Sequence, residues 1–191
     1  MSQLNYSIRE RRKAMLMYMK SVFLLCLVIW LSSVSAQDGD TAPDFRLINA
    51  QGEVVQLSDF FGTPLVLNIW ATWCPPCVEE LPLFQQFYDE YSNSGELFNV
   101  LLVNNNEDAA AASAFLQELG VTLPSVYDAS KYQREQDDLD KTTDVIESYR
   151  VRGMPSTYFI DAEGAIAGVK AGFLLPEEAP ALFGNIGVDI P

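Results

Sequence analysis

The sequence contains no histidine and only three cysteines among its 191 residues. Without histidine there can be no Cys–His nucleophile pair and no zinc site with a histidine ligand. A c-type haem site needs His directly after a C-x-x-C pair, and that position is Val78 here. A structural zinc site needs four ligands, and one of the three cysteines, Cys26, lies in an apolar segment near the N-terminus. The sequence therefore predicts no metal site and no cofactor.

Basic residues are also scarce beyond the N-terminal segment. Residues 37–191 contain 7 basic and 25 acidic residues, a net charge of −18. So acidic a body disfavours binding to nucleic acid and to anionic lipid. The surplus carboxylates are typical of an exported protein that must stay soluble, and the alternative is that they attract a basic protein partner.

Residues 1–36 have the features of a secretory signal peptide. A basic stretch at 9–13 precedes an 11-residue apolar stretch at 21–31, and small residues at 34–36 precede a predicted cut before Gln37. The apolar stretch is short for a membrane-spanning helix, which favours cleavage. The alternative is an uncleaved anchor that contacts the membrane through residues 14–34 only. Either case predicts a periplasmic or otherwise extracytoplasmic protein, in a compartment where disulfides persist.

The rest of the chain is predicted to be a short polar linker, 37–42, followed by one domain, 43–191. Strands are predicted at 45–49, 53–57, 65–70, 98–103, 125–127 and 165–171, and the segment 153–161 is predicted to be a loop that enters a further strand. Helices are predicted at 76–92, 109–119, 145–149 and 176–186. Strands that alternate with helices, with a hairpin near each end, predict an α/β sandwich. The charged segment 130–143 has no periodicity and is predicted to be a surface insertion or an extended lead-in to the next helix, with partner docking as the alternative role.

Two cysteines, Cys74 and Cys77, follow the predicted strand 65–70 directly and open the predicted helix that comes next. A thiol at a helix N-terminus faces the positive end of the helix dipole and unpaired backbone N–H groups. Both favour the thiolate, which is the species that attacks disulfides. This pair is the strongest functional motif in the chain.

The motif Trp70-Ala-Thr-Trp-Cys-Pro-Pro-Cys77, with Gly153-Met-Pro-Ser-Thr-Tyr-Phe-Ile-Asp161 further on, resembles the thioredoxin fold. The segment Cys77-Val-Glu-Glu-Leu-Pro82 is similar to the x-x-Glu-x-Pro that follows the second cysteine in the exported TlpA/ResA branch. Residues 42–47 and 57–62 match the N-terminal hairpin of that branch. The resemblance covers about residues 41–186. It implies a thioredoxin fold, with three α/β/α layers around a central mixed sheet plus an N-terminal β-hairpin.

The resemblance also implies a role for each residue of the motifs. Cys74, nearer the surface, would attack the substrate disulfide, and the more buried Cys77 would resolve the mixed disulfide. Pro155 would be a cis-proline that presents the backbone of Met154 to an extended substrate, the alternative being a trans-proline that opens an edge strand. The implied substrate-binding residues are Trp73, Pro75, Pro76 and Met154.

Asn68 stands where thioredoxin carries a buried aspartate, six residues before the first cysteine. An asparagine takes no proton, so the thiol of Cys77 needs another base or a chain of water molecules. Glu80, three residues after Cys77 on the same predicted helix, is the candidate. We hypothesise that a partly apolar setting raises its pKa. The alternative is a solvated acid that favours the helix dipole, for which Glu79 is the better candidate.

The resemblance implies an enzyme that reduces cysteine-containing exported proteins, apocytochromes c among them, with electrons from a membrane thiol donor. The direction depends on the reduction potential, so a disulfide-forming oxidant remains an alternative. A peroxiredoxin-like peroxidase would place Thr three residues before its reactive cysteine, whereas Thr72 lies two before Cys74. Arg150 and Arg152 are the only nearby candidates for its activating arginine. A non-enzymatic binding module with a static disulfide is the third alternative.

Overall fold

The computed structural model describes residues 39–94, 97–128 and 144–190. The predicted signal peptide or anchor, residues 1–36, and the predicted insertion, residues 130–143, lie outside the described residues. Within the described ranges, no helix has both the length and the apolar character needed to cross a bilayer.

One mixed sheet of seven strands forms the centre of the domain, in the order β2-β1-β5-β4-β3-β6-β7. The strands are β1 Arg46–Asn49, β2 Val54–Gln56, β3 Leu65–Trp70, β4 Asn99–Asn105, β5 Ser125–Asp128, β6 Ser156–Ile160 and β7 Ile166–Ala171. β3, β4 and β5 run parallel to one another, and all other neighbours pair antiparallel. The β1–β2 hairpin forms one edge of the sheet and the β6–β7 hairpin forms the other.

Helices connect the parallel strands, because two parallel neighbours cannot be joined by a tight turn. The helices are α1 Pro75–Ser94, α2 Ala109–Glu118, α3 Val145–Ser148 and α4 Ala179–Gly184, with 3₁₀ turns at Leu57–Phe60 and Pro176–Glu178. Helices α1 and α2 form the two crossovers β3-α1-β4 and β4-α2-β5. Because both crossovers step across the sheet in the same direction, the right-handed rule places both helices on one face.

The central strand β3 divides the core into two layers. All six of its residues are buried, and successive side chains of a strand point to opposite faces. Val66 and Trp70 join the cluster that contains α1, α2 and α4. Leu65, Leu67 and Ile69 join the opposite cluster with Val145 of α3. The three-layer thioredoxin fold with its N-terminal hairpin is therefore confirmed.

Three elements differ most from the predicted boundaries. β4 continues to Asn105, two residues beyond the prediction, because Asn104 pairs with Trp70 of β3 and Asn105 pairs with Asp128 of β5. The predicted helix 176–186 is a 3₁₀ turn followed by the short helix α4, which ends at Gly184. Helix α1 extends from Pro75 to Ser94, where 76–92 was predicted.

Candidate active site

Cys74 occupies the N-cap of helix α1 and is bonded to Cys77 in a disulfide. Its carbonyl accepts the first intrahelical hydrogen bond from Val78 N–H at 3.1 Å, and its sulfur accepts one from Cys77 N–H at 3.3 Å. Pro75 and Pro76 fill the first positions of the helix, where no N–H is needed. The sulfur of Cys74 thus receives both the helix dipole and a backbone donor, and both favour a thiolate once the bond is reduced.

The two cysteines differ in accessibility in the order that the resemblance implied. Cys74 is 5% exposed, and Cys77, in the first turn of α1, is fully buried. Cys74 is therefore the more accessible of the two sulfurs.

The Met154–Pro155 peptide bond is cis. Ile69 pairs with Ser156, so the start of β6 lies beside the end of β3, from which the cysteine loop departs. Pro155 is buried, and its carbonyl accepts a hydrogen bond from Gly172 N–H of the segment after β7. The sheet register thus brings the cis-proline to the same end of the domain as the cysteines.

A cavity of about 490 Å³ opens beside Cys74. The four predicted substrate-binding residues all line it: Trp73, Pro75, Pro76 and Met154. Trp73 is 63% exposed, so its ring borders the cavity and also faces solvent. Trp70 is fully buried and stacks on Phe115 of α2 at 6.5 Å between ring centroids. The predicted residues therefore form one surface around the reactive sulfur.

Glu80 lies one turn beyond Cys77 on α1 and is only 1% exposed. Its carboxylate accepts hydrogen bonds from Asn68 Nδ2 at 3.0 Å and from the backbone N–H of Leu174 at 2.5 Å. Burial raises the pKa of Glu80 to about 7, although these two donors and the charge of Lys170 lower it in part. The solvated alternative is therefore wrong for Glu80, while Glu79 is exposed. Glu80 is thus a buried carboxyl whose pKa lies near neutral pH.

Asn68 links Glu80 to the neighbouring strand. Its Nδ2 also donates to Thr157 Oγ1 of β6 at 3.0 Å, and its Oδ1 is buried without a hydrogen-bond partner among the described residues. The residue that replaces the thioredoxin aspartate is thus part of the same polar group as Glu80. Of this group, sequence reasoning identified Asn68 and Glu80, but it missed Thr157 and Leu174, which are about 90 residues away along the chain.

Glu107 is a second residue that sequence reasoning missed. Its carboxylate accepts hydrogen bonds from the Thr72 N–H at 2.8 Å, from the Thr72 hydroxyl and from Asn104 Nδ2 at 2.7 Å. Thr72 belongs to the loop that leads into Cys74, and Asn104 is fully buried in β4. Glu107 therefore fixes the cysteine loop to the end of β4. An isolated acid after a strand carries no sequence pattern that would reveal this.

Glu107→Ala should lower the free energy of unfolding by about 1–3 kcal/mol, because the substitution leaves the Thr72 N–H and the Asn104 amide without their acceptor. Urea unfolding of the oxidised protein measures this. Glu118→Ala, an exposed acid in the same region of the chain, is the matched control and should change stability by less than about 0.5 kcal/mol. Equal stability of the two variants would contradict the assigned role of Glu107.

The comparison with protein families matches residues 37–182 to the redoxin family. The chain belongs to the redoxin family. It is 32% identical over 140 residues to the thiol-disulfide oxidoreductase ResA of Geobacillus kaustophilus, covering 73% of this chain and 72% of that protein. It is 31% identical over 144 residues to ResA of Bacillus subtilis, covering 75% and 73%. This redoxin is therefore an enzyme of thiol–disulfide exchange.

Solved structures agree with this assignment. The redoxin aligns with a Chlorobium tepidum protein described as a thiol:disulfide interchange protein of the DsbE type, with a TM-score of 0.62 and 32% identity. The alignment covers 80% of this chain and 96% of that one. The shared fold and the Cys74–Cys77 pair together support disulfide exchange with cysteine-containing partner proteins.

Proposed function

We propose that this enzyme is a reductase that acts outside the cytoplasm on disulfides of exported proteins. The observation that carries the proposal is the position of Cys74, an N-cap sulfur at the edge of an open cavity beside a cis-proline. Such a sulfur is a good nucleophile as a thiolate and is reachable by an extended peptide. The signal-peptide pattern of residues 1–36 and the acidic body support an exported setting.

In the proposed reaction, the Cys74 thiolate attacks one sulfur of a substrate disulfide. A Cys74–substrate bond forms, the substrate S–S bond breaks and the other substrate sulfur leaves as a thiolate. Cys77 then attacks the sulfur of Cys74, so that the second substrate sulfur leaves and the Cys74–Cys77 disulfide forms. Two electrons pass from the enzyme dithiol to the substrate. A membrane thiol donor, which is part of this proposal, restores the dithiol.

Glu80 is proposed to accept the proton of the Cys77 thiol and to return it later. The buried Cys77 thiol must lose its proton before it attacks, and Glu80 is the buried carboxyl nearest to it along α1. A carboxylate with a pKa of about 7, one turn away on the same helix, has the affinity for a proton that this transfer requires. The proton returns to the thiol when the disulfide is reduced again.

Insulin provides a direct test of disulfide reduction. Enzyme that has been reduced with dithiothreitol and freed of it should transfer two electrons per molecule to insulin, whose separated chains then precipitate. Failure to transfer any electrons would indicate a static binding module and would contradict the proposal. Apocytochrome c with an oxidised cysteine pair is the second substrate to test, because the resemblance implies that class of substrate. Hydrogen peroxide is the third, and its reduction would favour the peroxidase alternative.

A further inference from the structure

The cavity beside Cys74 has one charged wall residue. Its described lining is mainly apolar, with Ile146, Val151 and Met154 facing the active-site segment 73–76. Asn105 adds an amide, whose Nδ2 lies 3.9 Å from the sulfur of Met154. Arg152 is the only charged residue among the described residues that line the cavity.

The guanidinium of Arg152 is available to a ligand. The side chain is exposed, and it forms no ion pair within the part of the chain that the structure describes. By contrast, Lys170 is paired with Glu178 at 2.6 Å. Arg46 lies on β1, next to the edge strand β2, and does not line the cavity.

The positive charge of Arg152 lies in a domain that is otherwise strongly acidic. Residues 37–191 carry a net charge of −18, so the field of the body as a whole repels a carboxylate. Screening limits that field to about 8–10 Å at physiological salt. A carboxylate that reaches the cavity therefore meets a local charge of the opposite sign. Arginine suits this ligand especially well, since its planar fork donates two parallel N–H···O bonds to a carboxylate.

We propose that Arg152 is a specificity-determining residue that selects substrates with a carboxylate next to the reactive cysteine. This inference rests on the disulfide exchange proposed above and adds the class of substrate. An acidic residue flanking the cysteine binds Arg152, while an apolar neighbour occupies the wall formed by Ile146, Val151 and Met154. A basic flanking residue is disfavoured, because it would be held against the guanidinium. A C-x-x-C-H peptide is favoured when one of the residues flanking its cysteines is Asp or Glu.

The test uses three peptides that differ only at the two positions flanking a single cysteine: Glu, Gln or Lys. Each cysteine is blocked as a mixed disulfide with 2-thiopyridine. Attack by the reduced enzyme at the peptide sulfur forms a Cys74–peptide disulfide and releases thiopyridine, whose absorbance gives the second-order rate constant. Each rate is divided by the rate of the same peptide with dithiothreitol, an uncharged dithiol, to remove differences in intrinsic reactivity.

The expected order of normalised rates at physiological salt, where the field of the acidic body is screened, is Glu, then Gln, then Lys, with the Glu peptide about two- to fivefold faster than the Gln peptide. Arg152→Gln should bring the Glu-to-Gln ratio to about one, and Arg152→Glu should invert it. Arg150→Gln is the matched control, because the substitution removes the same charge. Arg150 is also exposed and lies two residues from Arg152, but it is not among the residues that line the cavity. It should retain the wild-type ratio.

Equal normalised rates for the Glu and Gln peptides in the wild type would overturn the inference. A ratio that Arg150→Gln lowers as much as Arg152→Gln would overturn it too, because the effect would then come from the general field. In both cases a measurable rate with the Gln peptide leaves the proposed exchange intact. If none of the three peptides releases thiopyridine, the proposed exchange itself fails, and the selectivity fails with it.

Discussion

Cys77→Ser should accumulate a covalent mixed disulfide between Cys74 and a substrate cysteine, whereas Cys74→Ser should form none. Both variants should lose turnover by on the order of a thousandfold or more, because each cysteine performs a step that the other cannot replace. The geometry sets the difference between them, since Cys74 borders the cavity and Cys77 is fully buried. Non-reducing electrophoresis followed by mass spectrometry of the conjugate measures the outcome.

Cys26→Ser in the full chain is the control for these variants, because it removes a thiol outside the Cys74–Cys77 pair. It should retain turnover and form no stable conjugate. A conjugate through Cys77 in the Cys74→Ser protein, in an amount similar to that of Cys77→Ser, would reverse the assigned order of attack.

Glu80→Gln should remove a large pH dependence from the stability of the oxidised protein. The pKa of Glu80 is raised from 4.5 to about 7 in the folded state by burial. Between these two values Glu80 holds a proton in the folded protein that it has released in the unfolded chain. The contribution of Glu80 to stability is therefore fully present below pH 4.5 and is lost as the pH rises through about 7. The decline attributable to Glu80 is about 3 kcal/mol, at about 1.4 kcal/mol per unit of pKa.

The same substitution should slow the resolving step. If Glu80 accepts the proton of Cys77, the rate of attack on the mixed disulfide rises through an inflection near pH 7. Glu80→Gln should remove that inflection and lower the rate at pH 7 by on the order of a hundredfold, the lower range for general acid–base catalysis. Double-mixing stopped flow records this: the mixed disulfide forms at acidic pH in the first mix, and release of the second substrate thiol is followed at pH 5–9 after the second.

Glu79→Gln is the matched control for both measurements on Glu80. Glu79 is the adjacent residue on α1 and is exposed, so its substitution removes the same charge without touching the buried group. The control should reproduce the wild-type pH profiles. If Glu80→Gln and the wild type had the same profile of thiol reactivity, Glu80 would have no part in proton transfer, whatever its effect on stability.

The features that could be predicted from sequence are those set by short stretches of chain. The strand Leu65–Trp70, the cysteines and the start of α1 are contiguous, so local periodicity and the helix-start pattern predict their arrangement. The separation of Glu80 from Cys77 follows from helical geometry alone. The cis bond before Pro155 was predicted only through the resemblance, because most X–Pro bonds in folded proteins are trans.

The features that could not be predicted depend on groups brought together by the sheet. The backbone N–H of Leu174 and the hydroxyl of Thr157 reach the Glu80 group only because β6 pairs with β3 and the segment after β7 folds over α1. Glu107 contacts Thr72 because β4 lies parallel to β3, so that the C-terminal ends of the two strands lie next to each other. Neither contact has a sequence signature, since backbone donors and single acids are common everywhere in a chain.

The measurement that tests the central claim most directly is the reduction potential of the Cys74–Cys77 pair, by equilibration in dithiothreitol or glutathione buffers. A reductase requires a potential close to that of thioredoxin, about −270 mV, or lower. The account predicts such a value. A potential close to about −120 mV, that of a strong disulfide-forming oxidant, would contradict it and would make the enzyme a donor of disulfides instead.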